Sequence, residues 1–190
     1  MLGAIFGLLA LIVIVVAVIA AVAVMIYNGL VGLRNRVTNA WSQIDVQLKR
    51  RHDLIPNLVN SVKGYMAHEQ GIMERVTQAR ANAIAAGNDV SARAQAENQL
   101  TGAVRSLFAV AEAYPALRAN ENMLALQEEL SSTENRIAFA RQFYNDSVME
   151  YNTAQQQFPA ALFAASLGFK PADPFALDDP AERAVPTVSF

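Results

Sequence analysis

The side chains best suited to metal or acid–base chemistry are few. The chain has 190 residues, no cysteine and two histidines, His52 and His68. A metal centre needs three or four converging ligands, and a zincin helix needs two histidines one turn apart around its glutamate. His52-Asp53 is an adjacent pair, and adjacent side chains on a helix point apart. His68-Glu69 has no second histidine near it. Both histidines therefore read as surface or bundle-lining residues. Glu121, Glu128, Glu129 and Glu134 are the other candidates, but a di-metal carboxylate bundle needs Glu-x-x-His on two helices, which this chain lacks. They read as a solvated face. There is no Gly-x-x-x-x-Gly-Lys, Gly-x-Ser-x-Gly or Gly-x-Gly-x-x-Gly, so phosphate-cradling loops and the serine elbow are absent. Without cysteine there is no disulfide, thiolate ligand, thiol nucleophile or lipidated cysteine. No catalytic residue, cofactor-binding residue or metal ligand is assigned. No cofactor is expected, and the chain reads as something other than an enzyme.

The charges point elsewhere. Net charge is −2, whereas a nucleic-acid-binding domain presents a basic face, so no nucleic-acid partner is expected. Residues 34–51 carry Arg34, Arg36, Lys49, Arg50 and Arg51 against Asp45 alone, a local +4 that leaves −6 for the rest. Lys49-Arg50-Arg51 invites reading as an anionic-lipid clamp. A continuous helix from Ile26 to Arg50 rises about 36 Å, however, far beyond a screening length of roughly 8 Å. Arg34 and Arg36 are the expected headgroup-facing residues.

Those arginines follow a membrane segment. Met1 to Leu33 has no charged side chain, and Leu8 to Ile26 is Leu, Ile, Val, Ala and Met throughout. About 20 such residues span the hydrocarbon core, which predicts a transmembrane helix over 1–27. Ala21-Val22-Ala23 imitates a signal-peptidase site, but the run is too long and lacks a basic start. Two arginines follow the span and no basic side chain precedes it, so the N-terminus is expected outside and the following domain in the cytoplasm. Gly3, Gly7, Ala10, Ala17 and Ala21 fall on one helical face, and small faces let transmembrane helices approach. This stripe is the expected self-association surface, alongside the lipid bilayer as a partner.

Beyond the span the periodicity is that of a coiled-coil-like seam. One line reads Val37, Ile44, Arg51, Leu58, Tyr65; its companion reads Trp41, Leu48, Ile55, Val62. This predicts a first helix over about 28–66, which Pro56 should kink or loosen. Gly29 and Gly32 at its start either make a hinge or sit in a helix that continues. Turn signals at 64–71 and at Gly87-Asn88-Asp89 bound a second helix to about Ala86. The third runs from about 90 to Ala113, with Ala94, Val104, Leu107, Phe108 and Ala111 inward, up to Tyr114-Pro115. The fourth runs from about Ala119 to Gln157 on the unbroken line Met123, Leu130, Ile137, Tyr144, Tyr151, Phe158. No segment sustains strand alternation. The expected fold is all-α: a transmembrane helix, then a long antiparallel up-down-up-down four-helix bundle over 28–158.

Arg51 is anomalous in its line, where every equivalent is Val, Ile, Leu or Tyr. A buried arginine requires a carboxylate. If Tyr65 lies level with about Asn120 on an antiparallel fourth helix, Trp41 meets Tyr144 and Arg51 meets Glu134, with Glu128 or Glu129 one turn away. Such a pair would fix register. The alternative is an arginine that snorkels to solvent along its stem.

Residues 159–190 hold five of the seven prolines and the acids Asp173, Asp178, Asp179 and Glu182. This Pro-rich acidic tail cannot continue a bundle helix. Its apolar residues (Phe163, Leu167, Phe169, Phe175, Phe190) imply docking. Phe158, Leu162 and Phe163 form the expected tail contact, against the bilayer or a neighbouring copy.

The wording of the chain resembles the LemA family. The resemblance lies in Tyr27-Asn28-Gly29-Leu30-Val31, Arg34-Asn35, Ala40-Trp41-Ser42-Gln43-Ile44-Asp45-Val46-Gln47-Leu48 and Arg51-His52-Asp53-Leu54-Ile55-Pro56-Asn57-Leu58-Val59. It continues in Tyr114-Pro115-Ala116-Leu117, Leu126-Gln127-Glu128-Glu129-Leu130, Glu134-Asn135-Arg136-Ile137, Phe158-Pro159, Gly168-Phe169 and Pro186-Thr187-Val188-Ser189-Phe190. It implies a bacterial inner-membrane protein with an N-terminal span, a short external N-terminus and a helical bundle. It carries over no catalytic residue. One member contributes to building magnetosomes, which implies membrane organisation. The expected function is a non-catalytic, membrane-anchored, self-associating scaffold of the bacterial envelope, a homo-oligomer. The alternative is an accessory subunit that binds and regulates an envelope protease or hydrolase. A lipid-binding bundle would need a large apolar pocket, which sequence cannot reveal.

Overall fold

The computed structural model describes residues 2–66 and 68–176, apart from the side chain of Ala4. The acids Asp178, Asp179 and Glu182 and the ending Pro186 to Phe190 lie outside the described residues. So does Met1, the terminus that the topology argument puts outside. The described chain is helical, without a strand. Its elements are α1 (Leu2–Lys63), α2 (Gln70–Ala85), α3 (Val90–Ala111), the single turn α4 (Pro115–Arg118) and α5 (Glu121–Gln156), followed by a 3-10 turn at Ala160–Leu162.

The expected boundary between a membrane helix ending at 27 and a bundle helix starting at 28 falls inside α1, which runs unbroken for 62 residues. Gly29 and Gly32 act as ordinary helical residues: a Cβ at either would meet nothing within 4 Å. Two glycines cost about 1 kcal/mol each, too little to end so long a helix. The apolar end of α1 contains an 18-residue stretch of mean hydropathy 3.4 with no buried residue. It is long and apolar enough to cross a membrane.

α1 also passes through Pro56. Proline has no N–H, so it leaves the carbonyl of the residue four back, His52, without its helical donor. Arg80 of α2 supplies the missing proton: its Nε donates to His52 O at 2.7 Å.

The chain forms two compact units. One comprises α1 up to Ala40 with Asp146–Ala172. Its buried residues include Leu30, Val37 and Ala40 of α1, Val148 and Tyr151 of α5, and Ala160, Ala164 and Phe169 beyond it. Asn152 holds its tail segment at two points, donating to Ala172 O and accepting from Ala172 N, both at 2.9 Å.

The other unit comprises Trp41–Asn145 with the described residues from Asp173 on. Its core joins Ile55, Leu58 and Val62 of α1, Ile72, Met73 and Val76 of α2, Leu100, Val104 and Leu107 of α3, Leu117 of α4, and Met123 and Leu130 of α5. Gly87 makes the α2–α3 turn at φ 66°, a left-handed conformation that favours glycine. Asp89 then caps α3 by accepting from Ala92 N at 2.7 Å. Asn145 repeats the grip of Asn152, accepting from Phe175 N at 2.8 Å and donating to Phe175 O at 3.2 Å. Phe175, 1% exposed, sits 6.0 Å from the Trp41 ring and 5.3 Å from the Arg141 guanidinium carbon. The tail as far as Phe175 thus packs on its own chain.

Candidate functional site

The most unusual chemistry lies where α1, α3 and α5 meet around Arg51. Its neighbours in the seam, Ile44 and Leu58, are apolar and buried, and the 3.5-residue repeat places Arg51 inward with them. The side chain is 2% exposed. Nη1 donates to Glu134 Oε1 at 2.7 Å and to Thr101 Oγ1 at 2.9 Å. Nη2 donates to Glu97 Oε2 and reaches the Glu97 carbonyl at 3.4 Å. Thr101 closes the ring by donating to Glu97 O at 3.1 Å. His52, the next residue of α1, is also buried. Its Nε2 stands 2.9 Å from Glu97 Oε1, close enough for an ion pair, although the two atoms are not aligned as a linear hydrogen bond.

Burial opposes ionisation of both central groups, and their partners overcome it. Desolvation works to lower the Arg51 pKa, but the charges of Glu134 and Glu97 and their hydrogen bonds hold it above the ordinary arginine value. Desolvation likewise works to raise the Glu97 pKa. Contact with His52 and the charge of Arg51 outweigh it and hold the carboxyl below its usual range. Glu97 is therefore a buried carboxylate and Arg51 a buried cation.

This arrangement suits structure better than turnover. The imidazole and carboxylate of His52 and Glu97 resemble half of a general-base dyad, but a base must reach a substrate proton. Both side chains are buried, and neither lines the clefts at Ser42–Phe143, Phe108–Gln127 or Val59–Gln78. Glu97 is occupied by Arg51. Among the described residues no group of three potential metal ligands converges.

The structure brings Arg51 and Glu134 together and adds Glu97, His52 and Thr101. The other expected site residues lie outside this cluster. Arg36 forms an ion pair with Glu150, each about half exposed. Arg34 lies over the Phe169 ring, 5.6 Å from its centroid. Gly3, Gly7, Ala10, Ala17 and Ala21 are all exposed along the apolar end of α1. Of the tail residues, Phe158 and Leu162 are exposed at 82% and 67%, while Phe163 is partly covered. The sequence signal for Glu97 was available: Ala94, Glu97, Leu100 and Val104 follow the inward spacing of α3.

A family model described as the LemA family matches residues 40–190, most of the chain. This chain belongs to the LemA family. The matched part begins within α1, beyond its apolar run. Among curated relatives, the magnetosome protein MamQ of Magnetospirillum gryphiswaldense is 24% identical over 77% of this chain and 63% of its own length. MamQ 1 of Paramagnetospirillum magneticum is 25% identical over 80% of this chain and 65% of its own. Protein LemA of Metamycoplasma hominis is 26% identical over 66% and 58%. The chain thus spans less than two thirds of the length of these relatives. The LemA-family match includes the residues named around Arg51, on α1, α3 and α5.

Proposed function

We propose that this LemA-family chain is a non-catalytic, membrane-anchored scaffold that self-associates in the bacterial inner membrane, with its polar helices in the cytoplasm. The observation that carries this reading is α1 itself. One helix joins an uncovered apolar stretch of membrane-spanning length to a seam whose buried charges are matched inside the chain. The positive-inside argument from Arg34 and Arg36 supports the orientation. The small residues Gly3, Gly7, Ala10, Ala17 and Ala21, all exposed on one face of α1, support close approach of a second helix. Similarity to magnetosome proteins is consistent with membrane organisation.

In this reading α1, α2, α3 and α5 form the antiparallel up-down-up-down bundle. Three contacts support it: Trp41 with Tyr144, Arg51 with Glu134, and Tyr65 with Asn120. Rising numbers along and just past α1 meet falling numbers back to the residue before α5, and each pair sums to 185. The role assigned to Arg51 is to hold that register, because a slipped pairing strands a buried charge.

The mass of the particle in mild detergent and in lipid nanodiscs tests self-association. Discrete oligomers are expected. A monomer at every concentration tried would overturn the reading. A second reading, an accessory subunit of an envelope protease or hydrolase, is favoured by one observation. Val46, Phe139 and Phe143 are exposed at 63%, 73% and 43% along a groove shared with Gln43, Gln47 and Arg136. A stoichiometric complex with one such enzyme, lost on Phe139→Glu, would favour that alternative.

A further inference from the structure

The seam of α5 ends on an exception. Met123, Leu130, Ile137, Tyr144 and Tyr151 are each 2–3% exposed, yet the next member of the line, Phe158, is 82% exposed. Leu162 and Leu167 follow at 67% and 38%. From Tyr151 to Phe169 there is no charged side chain, and the stretch is bracketed by Glu150 and Lys170.

Contacts within this unit give the segment's level along α1. Glu150 pairs with Arg36, and Phe169 packs edge-on against Tyr27, ring centroids 5.5 Å apart. The chain past Glu150 therefore runs towards the N-terminal end of α1. Phe158 lies eight residues beyond Glu150, and Tyr27 nine residues before Arg36, about 12–14 Å in each direction. Tyr27 closes the apolar run. Within that run Val22, Ala23 and Ile26 alone among the described side chains are partly covered.

We propose that the turn over 157–169 is a second membrane contact, lying in the interfacial layer beside the transmembrane part of α1 and presenting Phe158 and Leu162 to lipid. The proposal rests on α1 being membrane-anchored. The occupant is lipid because the exposed residues lie about level with Tyr27, where the apolar run of α1 ends, in a stretch without a charged side chain. Tyr27 is a residue type enriched at that level, and Phe158 and Leu162, which carry no polar group, gain from leaving water for its apolar edge. The turn can enter this layer cheaply. The N–H groups of Ala161, Leu162, Phe163, Ala164, Leu167, Gly168 and Phe169 all bond within the segment, so little unpaired backbone leaves water. Irregular backbone does not belong deeper, which limits the turn to the interface. Arg34, stacked on Phe169, and the exposed Lys170 supply cations at the headgroup level.

Tryptophan quenching in vesicles tests this. Full-length protein carrying Trp41→Phe and Phe158→Trp is reconstituted in phosphatidylcholine brominated either near the headgroup or deep in the acyl chain. A chain carrying Trp41→Phe and Phe6→Trp serves as the membrane control. The expected result is blue-shifted emission from position 158, with greater loss from shallow than from deep bromine. Water-like, unquenched emission from position 158 while position 6 is quenched would overturn the proposal and leave the anchor standing. Blue-shifted emission insensitive to bromine would overturn it in favour of cover by a second copy. An unquenched Phe6→Trp control would remove the anchor and this proposal with it. Should Trp41→Phe not fold, Leu162→Cys bearing an environment-sensitive fluorophore gives the same reading in a chain that otherwise has no cysteine.

Discussion

Arg51 faces two carboxylates whose energetic roles differ. Glu97 is 3% exposed on its side chain, whereas Glu134 is 39% exposed. Removing a partner from a fully buried pair strands a charge in low dielectric, at about 3–5 kcal/mol. Removing one that water can replace costs about 1 kcal/mol or less. Glu97→Ala is therefore expected to lower unfolding free energy by about 3–5 kcal/mol and Glu134→Ala by about 1 kcal/mol, both read from chemical denaturation of the helical signal. Equal costs would show that the buried partner does not dominate. Acid provides an independent test. The Glu97 pKa is depressed in the folded state, so its contribution is fully present above the unfolded carboxyl value of about 4.3. That contribution is lost as pH falls through the lower folded value. Thermal stability should fall below about pH 4, and Glu97→Gln should remove that part of the slope. Arg51 was visible in the sequence as a charge in an apolar line. Glu97 escaped because Ala-Glu-Asn-Gln reads as solvent-facing, although its spacing from Ala94 and Val104 marks an inward position. His52 was open to either a surface or a lining role, because sequence does not show which neighbours enclose it.

At the scale of an element, Pro56 and Arg80 form a unit that no helical period could reveal. The proline removes a donor from His52 O, and a guanidinium from α2 replaces it across the helix pair. The link predicts a coupling. Arg80→Ala should cost about 1–3 kcal/mol, since it leaves a poorly hydrated carbonyl without a donor. In a Pro56→Ala background the residue 56 N–H returns to that carbonyl, and the same substitution should cost markedly less. A double-mutant cycle on urea midpoints measures the difference. Additive costs would show that Arg80 acts through something else. Helix existence and the inward lines of α1 and α5 were legible because a seven-residue repeat survives over many turns, although the last member of each line, Tyr65 and Phe158, lies past the helix end and is exposed. The continuity of α1 through Gly29, Gly32 and Pro56 was not, because each residue weakens a helix without deciding whether packing outweighs it. Also illegible were the two asparagines, Asn145 and Asn152, that hold the extended tail. Their task is to mimic a strand's backbone, and a polar residue half-buried on a helix carries no signature of that.

For the molecule as a whole, the outstanding question is what its apolar segment meets besides lipid. Packing between helices in a bilayer cannot rely on the hydrophobic effect, because lipid tails are as apolar as leucine. Association there depends on how closely two backbones approach, which makes side-chain size decisive. On α1 Gly3, Gly7, Ala10, Ala17 and Ala21 share one exposed face, and Gly3 and Gly7 lie a turn apart. Leucine at both positions adds bulk without changing polarity or span length. The Gly3→Leu, Gly7→Leu chain should therefore insert normally, keep its helicity and lose self-association. The measurement is energy transfer between donor- and acceptor-labelled full-length copies in vesicles at fixed protein-to-lipid ratio. Leu9→Ala, a change of size at another exposed position of the same helix, serves as the control. Loss of transfer in the leucine variant alone supports assembly through the small face. Undiminished transfer with both glycines replaced would move the contact to the polar helices, where the groove at Val46, Phe139 and Phe143 is the surface to examine next.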